Sequence, residues 1–534
     1  MEWDGRNVAI IGTGPTGIYT FYSLIKKGGP FSITLYEQKE KAGVGMPYSE
    51  SKTNRLMLAN IASIEIPPLL ITYLDWLKQQ SEGYLARFDV DKHHLDKRQF
   101  LPRTLLGAYF RNQFLTLLEM ASTNGHRVSV RESCEVTDIE HSPVGVKLWV
   151  NGEQSTTVYD HVVIATGHEW PDKEKATRHY FPSPWSGLLE ANIEASKVGI
   201  MGTSLSAIDA AMAVVAQHGD FIEVGNGEIR FDLDNLGSEL QITLMSRSGI
   251  LPEADFYCPI PHEPLKIATP EAIQEEISVG SKGLLDRAYR LMAKEIHHND
   301  PNWAQRVSLD MLNVDQFVDA YFQDRAVYNP FRWAAHNLSV VEINKKNKHT
   351  VPWRYTILRL HERLQEIVPY LDECDRQRFD SGLSKVFTDN YAAIPPESIR
   401  RLLALRQAGI IDVLKLGYDY EKTTHDGKVV IDVGENRYLF DVFIDARGQR
   451  SLSLKDLPFQ HLKKQVLDKY ETSFRIQKDY TLQTDDKEGQ CIILAAIPYL
   501  MKDKPFIQGI TVSAEIGKEV AQSISRDVFK AVAS

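Results

Sequence analysis

The stretch Gly12-Thr13-Gly14-Pro15-Thr16-Gly17 sets three glycines at the spacing a dinucleotide pyrophosphate needs. Gly12 lets the chain turn sharply, Gly14 lets backbone amides approach the phosphates, and Gly17 lets the following helix lie close to the preceding strand. The positive end of that helix then faces the phosphates. Glu37, twenty residues after Gly17, places a carboxylate where it accepts both ribose hydroxyls of an adenosine. The elements that must hold these residues are all in register: an apolar strand over Val8–Ile11, a helix to about Lys27 and an alternating strand from Phe31 to Glu37 form one βαβ unit.

The same grammar returns later in the chain. The apolar strand Val198–Met201 leads into Gly202-Thr203-Ser204-Leu205-Ser206-Ala207 and a helical run. Only the first glycine is retained; Ser204 and Ala207 are small enough to replace the other two, although a βα turn without a ligand reads the same way. The next strand, Ile242–Met245, ends in Ser246-Arg247 rather than in an acid. A guanidinium with hydroxyls holds a 2′-phosphate that a carboxylate would repel, so this module is expected to prefer NADPH over NADH. An internal repeat links the two modules. Tyr159–Gly167 aligns without gaps to Phe440–Gly448, each after an alternating, hairpin-like excursion (about 127–150 and 412–439), which adds Thr166, Gly167 and Gly448 to the candidates. Buried strands rich in Val and Ile also resemble one another by chance.

Composition narrows the partners. With 43% apolar and 10% aromatic residues the chain is globular, and 61 Lys and Arg against 71 Asp and Glu give a net charge of −10. No whole-protein positive field exists for nucleic acid or an anionic membrane, so neither is expected as a partner. No stretch of about 18 apolar residues is free of charge, and the opening Met-Glu-Trp-Asp lacks a basic region, so the expectation is a soluble, cytoplasmic protein with a small-molecule substrate. Cys134, Cys258, Cys374 and Cys491 form no Cys-x-x-Cys, and no His cluster has metal-ligand spacing. Redox chemistry is therefore expected from a bound cofactor, with no metal. Residues 260–410 carry helical periodicity, with amphipathic runs at Leu284–Ile296, Tyr355–Tyr370 and Pro396–Gln407, a domain-sized lid or substrate wall. Arg354, flanked by Trp353 and Tyr355, and Arg400 and Arg401 lie in it and read either as an anion clamp or as structurally paired charges.

Further motifs extend the pattern: Gly43-Val44-Gly45-Met46-Pro47-Tyr48, Leu58-Ala59-Asn60, Phe100-Leu101-Pro102-Arg103, Ala165-Thr166-Gly167-His168-Glu169-Trp170-Pro171 and Phe443–Gly448. With these the chain resembles two-dinucleotide flavoproteins. Over essentially its whole length it is similar to a bacterial family of FAD/NAD(P)-binding proteins that includes the uncharacterised YdhS-type proteins, distantly related to flavin monooxygenases that hydroxylate amino-acid nitrogens or urate. The resemblance implies an α/β fold of two Rossmann-like domains, for FAD and NADP, with a helical insertion. The expected division is an FAD domain over 1–195 and 450–534, an NADP domain over 196–260 and 411–449, and the insertion over 261–410.

FAD is assigned to Gly12, Gly14, Pro15, Thr16, Gly17, Glu37, Gly45, Met46, Asn60, Arg103, Thr166 and Gly167. Gln508, Gly509 and Thr511 join them, because they open a helix to about Ile524 that in this plan faces the pyrimidine edge of the flavin. NADPH is assigned to Gly202, Thr203, Ser204, Ser206, Ser246, Arg247 and Gly448. Arg103 reads as a partner of the FAD phosphates or of an acidic substrate group, and His168 as a proton carrier or a junction histidine. The chain departs from the commoner pattern at Leu494-Ala495-Ala496-Ile497-Pro498, which lacks the usual carboxylate for the ribityl chain. The implied function is an FAD-containing, NADPH-dependent monooxygenase that hydroxylates a small polar substrate, nitrogen-containing in better-known relatives, through a flavin hydroperoxide. The alternatives are an FAD-dependent reductase that inserts no oxygen and a non-enzymatic flavin redox sensor. Neither substrate, catalytic side chain nor oligomeric state follows from it.

Overall fold

The computed structural model describes residues 5–532 apart from 28–29, 52, 169, 172, 226, 235–236, 238, 468–475 and 483–491. Cys491 and Glu169 lie outside the described residues. Alternation of apolar strands with helices produces two five-stranded sheets, each entirely parallel. The first runs in the order Ile492–Leu494, His161–Ile164, Arg6–Ile11, Phe31–Tyr36, Arg127–Arg131. The second runs Tyr180–Phe181, Val442–Asp445, Lys197–Met201, Gln241–Ser246, Ile411–Lys415. Helices cover one face of each sheet and the antiparallel meander that precedes its closing strand covers the other, which is why Val8, Ala9, Ile10 and Val163 are wholly buried and the strands read as continuous apolar runs. The fold is the expected α/β arrangement of two Rossmann-like modules.

The two sheets correspond strand for strand, and the repeated aromatic-Asp pair has a physical role. In the first module Asp160 donates its amide to the Asn7 carbonyl (2.9 Å) while its carboxylate accepts from the Asn7 amide (2.8 Å). Asp441 makes the same two bonds to Lys197, at 2.8 and 3.2 Å. Each aspartate thus locks the closing strand to the start of the central one. The excursions before them are three-stranded antiparallel meanders, 136–159 and 420–440.

The helical region lies in the chain between strands Gln241–Ser246 and Ile411–Lys415 of the second sheet. Helices Leu284–Asn299, Val314–Val327 and Pro352–Leu364 build its separate core around Leu285, Met292, Phe317, Leu360 and Phe387. Helix Pro396–Gln407, which the periodicity grouped with this region, instead buries Ile399, Leu402 and Leu405 in the core of the second sheet. It is that module's own crossover helix, as Arg103–Thr123 is in the first. The edge strand Tyr180–Phe181 likewise serves the second sheet although it precedes that module in the chain. No described helix is long and apolar enough to cross a membrane.

Candidate functional site

The first cradle is built where strand Arg6–Ile11 meets helix Pro15–Lys27. Its glycines divide by the reason each lacks a side chain. A Cβ at Gly12, which has φ +96°, would lie 2.6 Å from the Ala165 carbonyl oxygen, and one at Gly17 would lie 2.0 Å from the Gly12 oxygen. Both are demanded by the turn itself. At Gly14 a Cβ would meet only the Gly45 Cα, at 3.4 Å, so the protein leaves this face bare for something else. Glu37 is held against the turn: its Oε2 accepts from the Thr13 hydroxyl (2.6 Å) and amide (3.3 Å), and its Oε1 from the Lys39 amide (3.0 Å). The loop at Gly45 (φ +86°) lies so close that a Cβ there would reach Pro15 Cδ at 2.9 Å. Thr166 and Gly167 follow the adjacent strand, and nothing stands within 4 Å of where a Gly167 Cβ would be.

The C-terminal helix Ile510–Val532 packs along Pro15–Lys27. Thr16 donates to the Ser513 hydroxyl at 3.1 Å, and Ser513 in turn bonds the Gly509 carbonyl at 3.1 Å. Gly509, with φ +94° and open space on its Cα, begins this helix beside exposed Gln508 and Thr511. The structure thus brings Gly12, Gly14, Pro15, Thr16, Gly17, Glu37, Gly45, Thr166, Gly167 and Gly509 around one turn. A cradle left open at Gly14, Gly167 and Gly509, with a carboxylate at its edge, fits FAD. Asn60 stands exposed on a segment laced to Leu101 by the Ala59 amide (2.9 Å), and Met46 packs partly against the second module's core.

The second cradle repeats the first. Ala446 donates to the Met201 oxygen as Ala165 does to Ile11, both at 2.9 Å. Gly202 has φ +137° and its missing Cβ would lie 3.0 Å from the Ala446 oxygen. Ser204 opens helix Leu205–Val215 with no side-chain cap; the Ala207 and Ile208 amides bond its carbonyl, at 2.9 and 3.0 Å, and the helix N-terminus is left open to an anion. Thr203 donates to the Ser246 hydroxyl (3.2 Å), which also accepts from the Gly249 amide (3.1 Å). Arg247 is exposed at the strand end, Ser206 lies half-buried on the helix, and Gly448 has open space around its Cα. This set fits a phosphorylated dinucleotide.

Arg103 is placed differently from the expectation. Its guanidinium lies 2.8 Å from Asp209 on helix Leu205–Val215, with 11% and 8% of the two side chains exposed, and donates to the Leu58 carbonyl at 3.1 Å. It is a strut between the modules. Burial raises the Asp209 pKa and Arg103 opposes the shift. The insertion arginines are also engaged: Arg354 pairs with Glu253 at 2.8 Å, Arg400 with Glu342 and with Glu397 at 3.1 Å, and Arg401 with the Leu56 carbonyl at 2.8 Å. They are not free to clamp an anion. Burial lowers the pKa of His168. Among the described residues the cysteines are free, and burial, then Asp255 and Glu65, push the Cys258 thiol up to about 12.

Sequence reasoning missed Thr13, Asp209, Ser513 and Phe506. Phe506, three residues before Gly509, is 4% exposed and inserts its ring into the insertion's core, 5.4 Å from Phe387, 5.7 Å from Tyr391, 5.8 Å from His361 and 6.1 Å from Phe379. Arg376 of the insertion donates to the nearby Lys502 carbonyl at 2.7 Å. A buried aromatic ahead of a helix start was the available clue to Phe506; Asp209 had none beyond being the lone charge in an apolar helix.

Comparison with known proteins adds two family matches, one relative and two solved structures. Residues 9–169 match the model of an FAD-NAD(P)-binding family, and residues 269–391 match that of a YdhS-like middle domain. The uncharacterised protein YdhS of Escherichia coli K12 is 54% identical over 526 residues, covering 98% of each chain. The reduced form of ornithine hydroxylase from Pseudomonas aeruginosa superposes with a TM-score of 0.52 at 12% identity, over 98% of this chain and 100% of that one. An ornithine N-hydroxylase of Kutzneria sp. 744 gives a TM-score of 0.49 at 15% identity, over 98% and 99%.

Proposed function

The chain belongs to the YdhS-like family of FAD-NAD(P)-binding proteins, and from that premise we propose that it is an NADPH-dependent flavoprotein monooxygenase acting on a small polar substrate. In domain type it is a flavoprotein oxidoreductase. FAD held in the first cradle supplies hydride acceptance from NADPH and reaction with oxygen. The chain's own residues bind the two cofactors, fix the modules and keep water away. Gly12, Gly14 and the N-terminal end of helix Pro15–Lys27 receive the FAD pyrophosphate, and Glu37 the ribose. Gly202, Ser204 and the uncapped helix after them receive the second pyrophosphate, while Ser246 and Arg247 receive the 2′-phosphate. The Arg103–Asp209 pair ties the two cradles to each other.

One observation carries the oxygenase reading. The insertion is anchored by Phe506 onto the chain that begins the helix at Gly509, where the flavin ring is expected. A wall fastened there excludes water from the reacting edge, which oxygenation requires and simple hydride transfer does not. The ornithine hydroxylase that superposes on this chain shares its fold, which is in keeping with the reading. The test is direct. The purified protein should be yellow, NADPH should bleach it anaerobically faster than NADH, and peroxide release should lag when oxygen meets the reduced protein. Immediate stoichiometric peroxide, with or without amino acids, amines or purines, would overturn the oxygenase reading in favour of a reductase.

A further inference from the structure

The correspondence of the two modules exposes an inversion of charge. In the first, Tyr36 pairs in register with Ile11 and Arg131, and the residues that follow at the two strand ends are Glu37 and Glu132. In the second, Met245 pairs with Met201 and Leu414, and the residues that follow are Ser246 and Lys415. Two carboxylates are replaced by a hydroxyl and an ammonium at the edge where the adenosine end of a dinucleotide lies. Arg247 adds a second cation. Neither Lys415 nor Arg247 has an acidic partner among the described residues, and both are exposed.

The backbone holds these groups together. The Leu416 amide donates to the Ser246 carbonyl at 2.9 Å and the Gly417 amide to the Arg247 carbonyl at 3.1 Å, so the chain after the third strand runs beside the end of the second. Gly249, with φ +66°, lets the loop from Arg247 cross directly over Lys415; a Cβ there would lie 2.7 Å from the Lys415 Cβ. Tyr418 then presents a ring that is 78% exposed, with the Arg247 guanidinium 5.7 Å from its centre. A guanidinium next in sequence to Ser246 and a lysine opposite it in register supply the charges a phosphate seat needs, and the exposed ring near the guanidinium offers a face for a base.

We propose that Lys415 is the second cation of the 2′-phosphate seat and that Tyr418 is the surface on which the adenine of NADPH stacks. This rests on the NADPH reading above. The experiment measures dissociation constants of NADP⁺ and NAD⁺ by calorimetry on flavin-loaded protein. Lys415→Ala, and equally Lys415→Gln, should weaken NADP⁺ about tenfold and leave NAD⁺ unchanged, as Arg247→Ala should. Tyr418→Ala should weaken both nucleotides about tenfold, because adenine is common to them, and Tyr418→Phe should restore both. An unchanged ratio of the two constants in both Lys415 variants, or wild-type binding in Tyr418→Ala, would overturn the proposal while wild-type preference for NADP⁺ stood. Failure of the wild-type protein to bind either nucleotide would overturn the NADPH reading and this proposal together.

Discussion

The strut between the modules can be measured as a coupling. Arg103 and Asp209 lie 2.8 Å apart and are almost fully buried. At that distance and an effective dielectric of about 20 the Coulomb attraction is about 6 kcal/mol, and desolvation of the two ions offsets most of it. The pair is therefore worth little over an apolar replacement, but either charge left alone is costly. Arg103→Met and Asp209→Leu should each destabilise the protein by about 3–5 kcal/mol, whereas the double variant should cost far less than their sum, a coupling of about 2 kcal/mol or more. Urea unfolding of flavin-loaded protein, followed by flavin absorbance and by circular dichroism, reads both the stability and the cofactor. Single effects that add to within about 0.5 kcal/mol would refute the strut. Flavin loss in Arg103→Met with full flavin in Asp209→Leu would instead hand the guanidinium to the FAD phosphates.

Three other perturbations have definite outcomes. Gly14→Val has room in the protein, since only the Gly45 Cα comes as near as 3.4 Å, so it should fold normally and purify without flavin; full flavin absorbance would contradict the cradle. Phe506→Ala should cost about 3–5 kcal/mol of thermal or urea stability and shorten the lag in peroxide release, with Phe506→Leu intermediate; a loss below about 1 kcal/mol would show that the insertion is not anchored there. Burial, then Glu65, raise the Asp255 carboxyl from 3.8 to about 7 against the pull of Arg354. An acid raised on folding lends stability fully below its unfolded value and loses it as pH rises to the folded one, so Asp255→Asn should flatten the stability profile between about pH 4 and 7. A profile parallel to wild type would count against this environment.

What the sequence made legible was local. The turn Gly12–Gly17, its flanking strands and Glu37 lie within one βαβ unit, where spacing alone fixes geometry, and the elements observed at Arg6–Ile11, Pro15–Lys27 and Phe31–Tyr36 match the expectation closely. The Asp209 partner of Arg103 was out of reach because it lies on a helix of the other module, and a lone basic residue after a proline looks the same whether it faces a phosphate or an aspartate. Helix Pro396–Gln407 was grouped by its 3.6-residue period with its neighbours; periodicity tells which face is buried but not against what. Phe506 could not be singled out from the sequence, since its meaning comes from rings contributed by residues 361–391. The charge inversion at Lys415 was within reach had the repeat been aligned over the third strand as well as the closing one.

The first sheet is completed last. Its outer strand, Ile492–Leu494, and the helix that braces its nucleotide turn, Ile510–Val532, are synthesised after the whole second module, although their partners lie in residues 6–36 and 161–164. At about 5–20 residues per second the ribosome takes roughly 15–65 s to travel from Ile164 to Ile492. During that interval the second sheet, drawn from residues 180–445, has every strand it needs, while the apolar edge at His161–Ile164 waits without a neighbour. The second module thus has its full set of strands on hand before the N-terminal module gains its outer one.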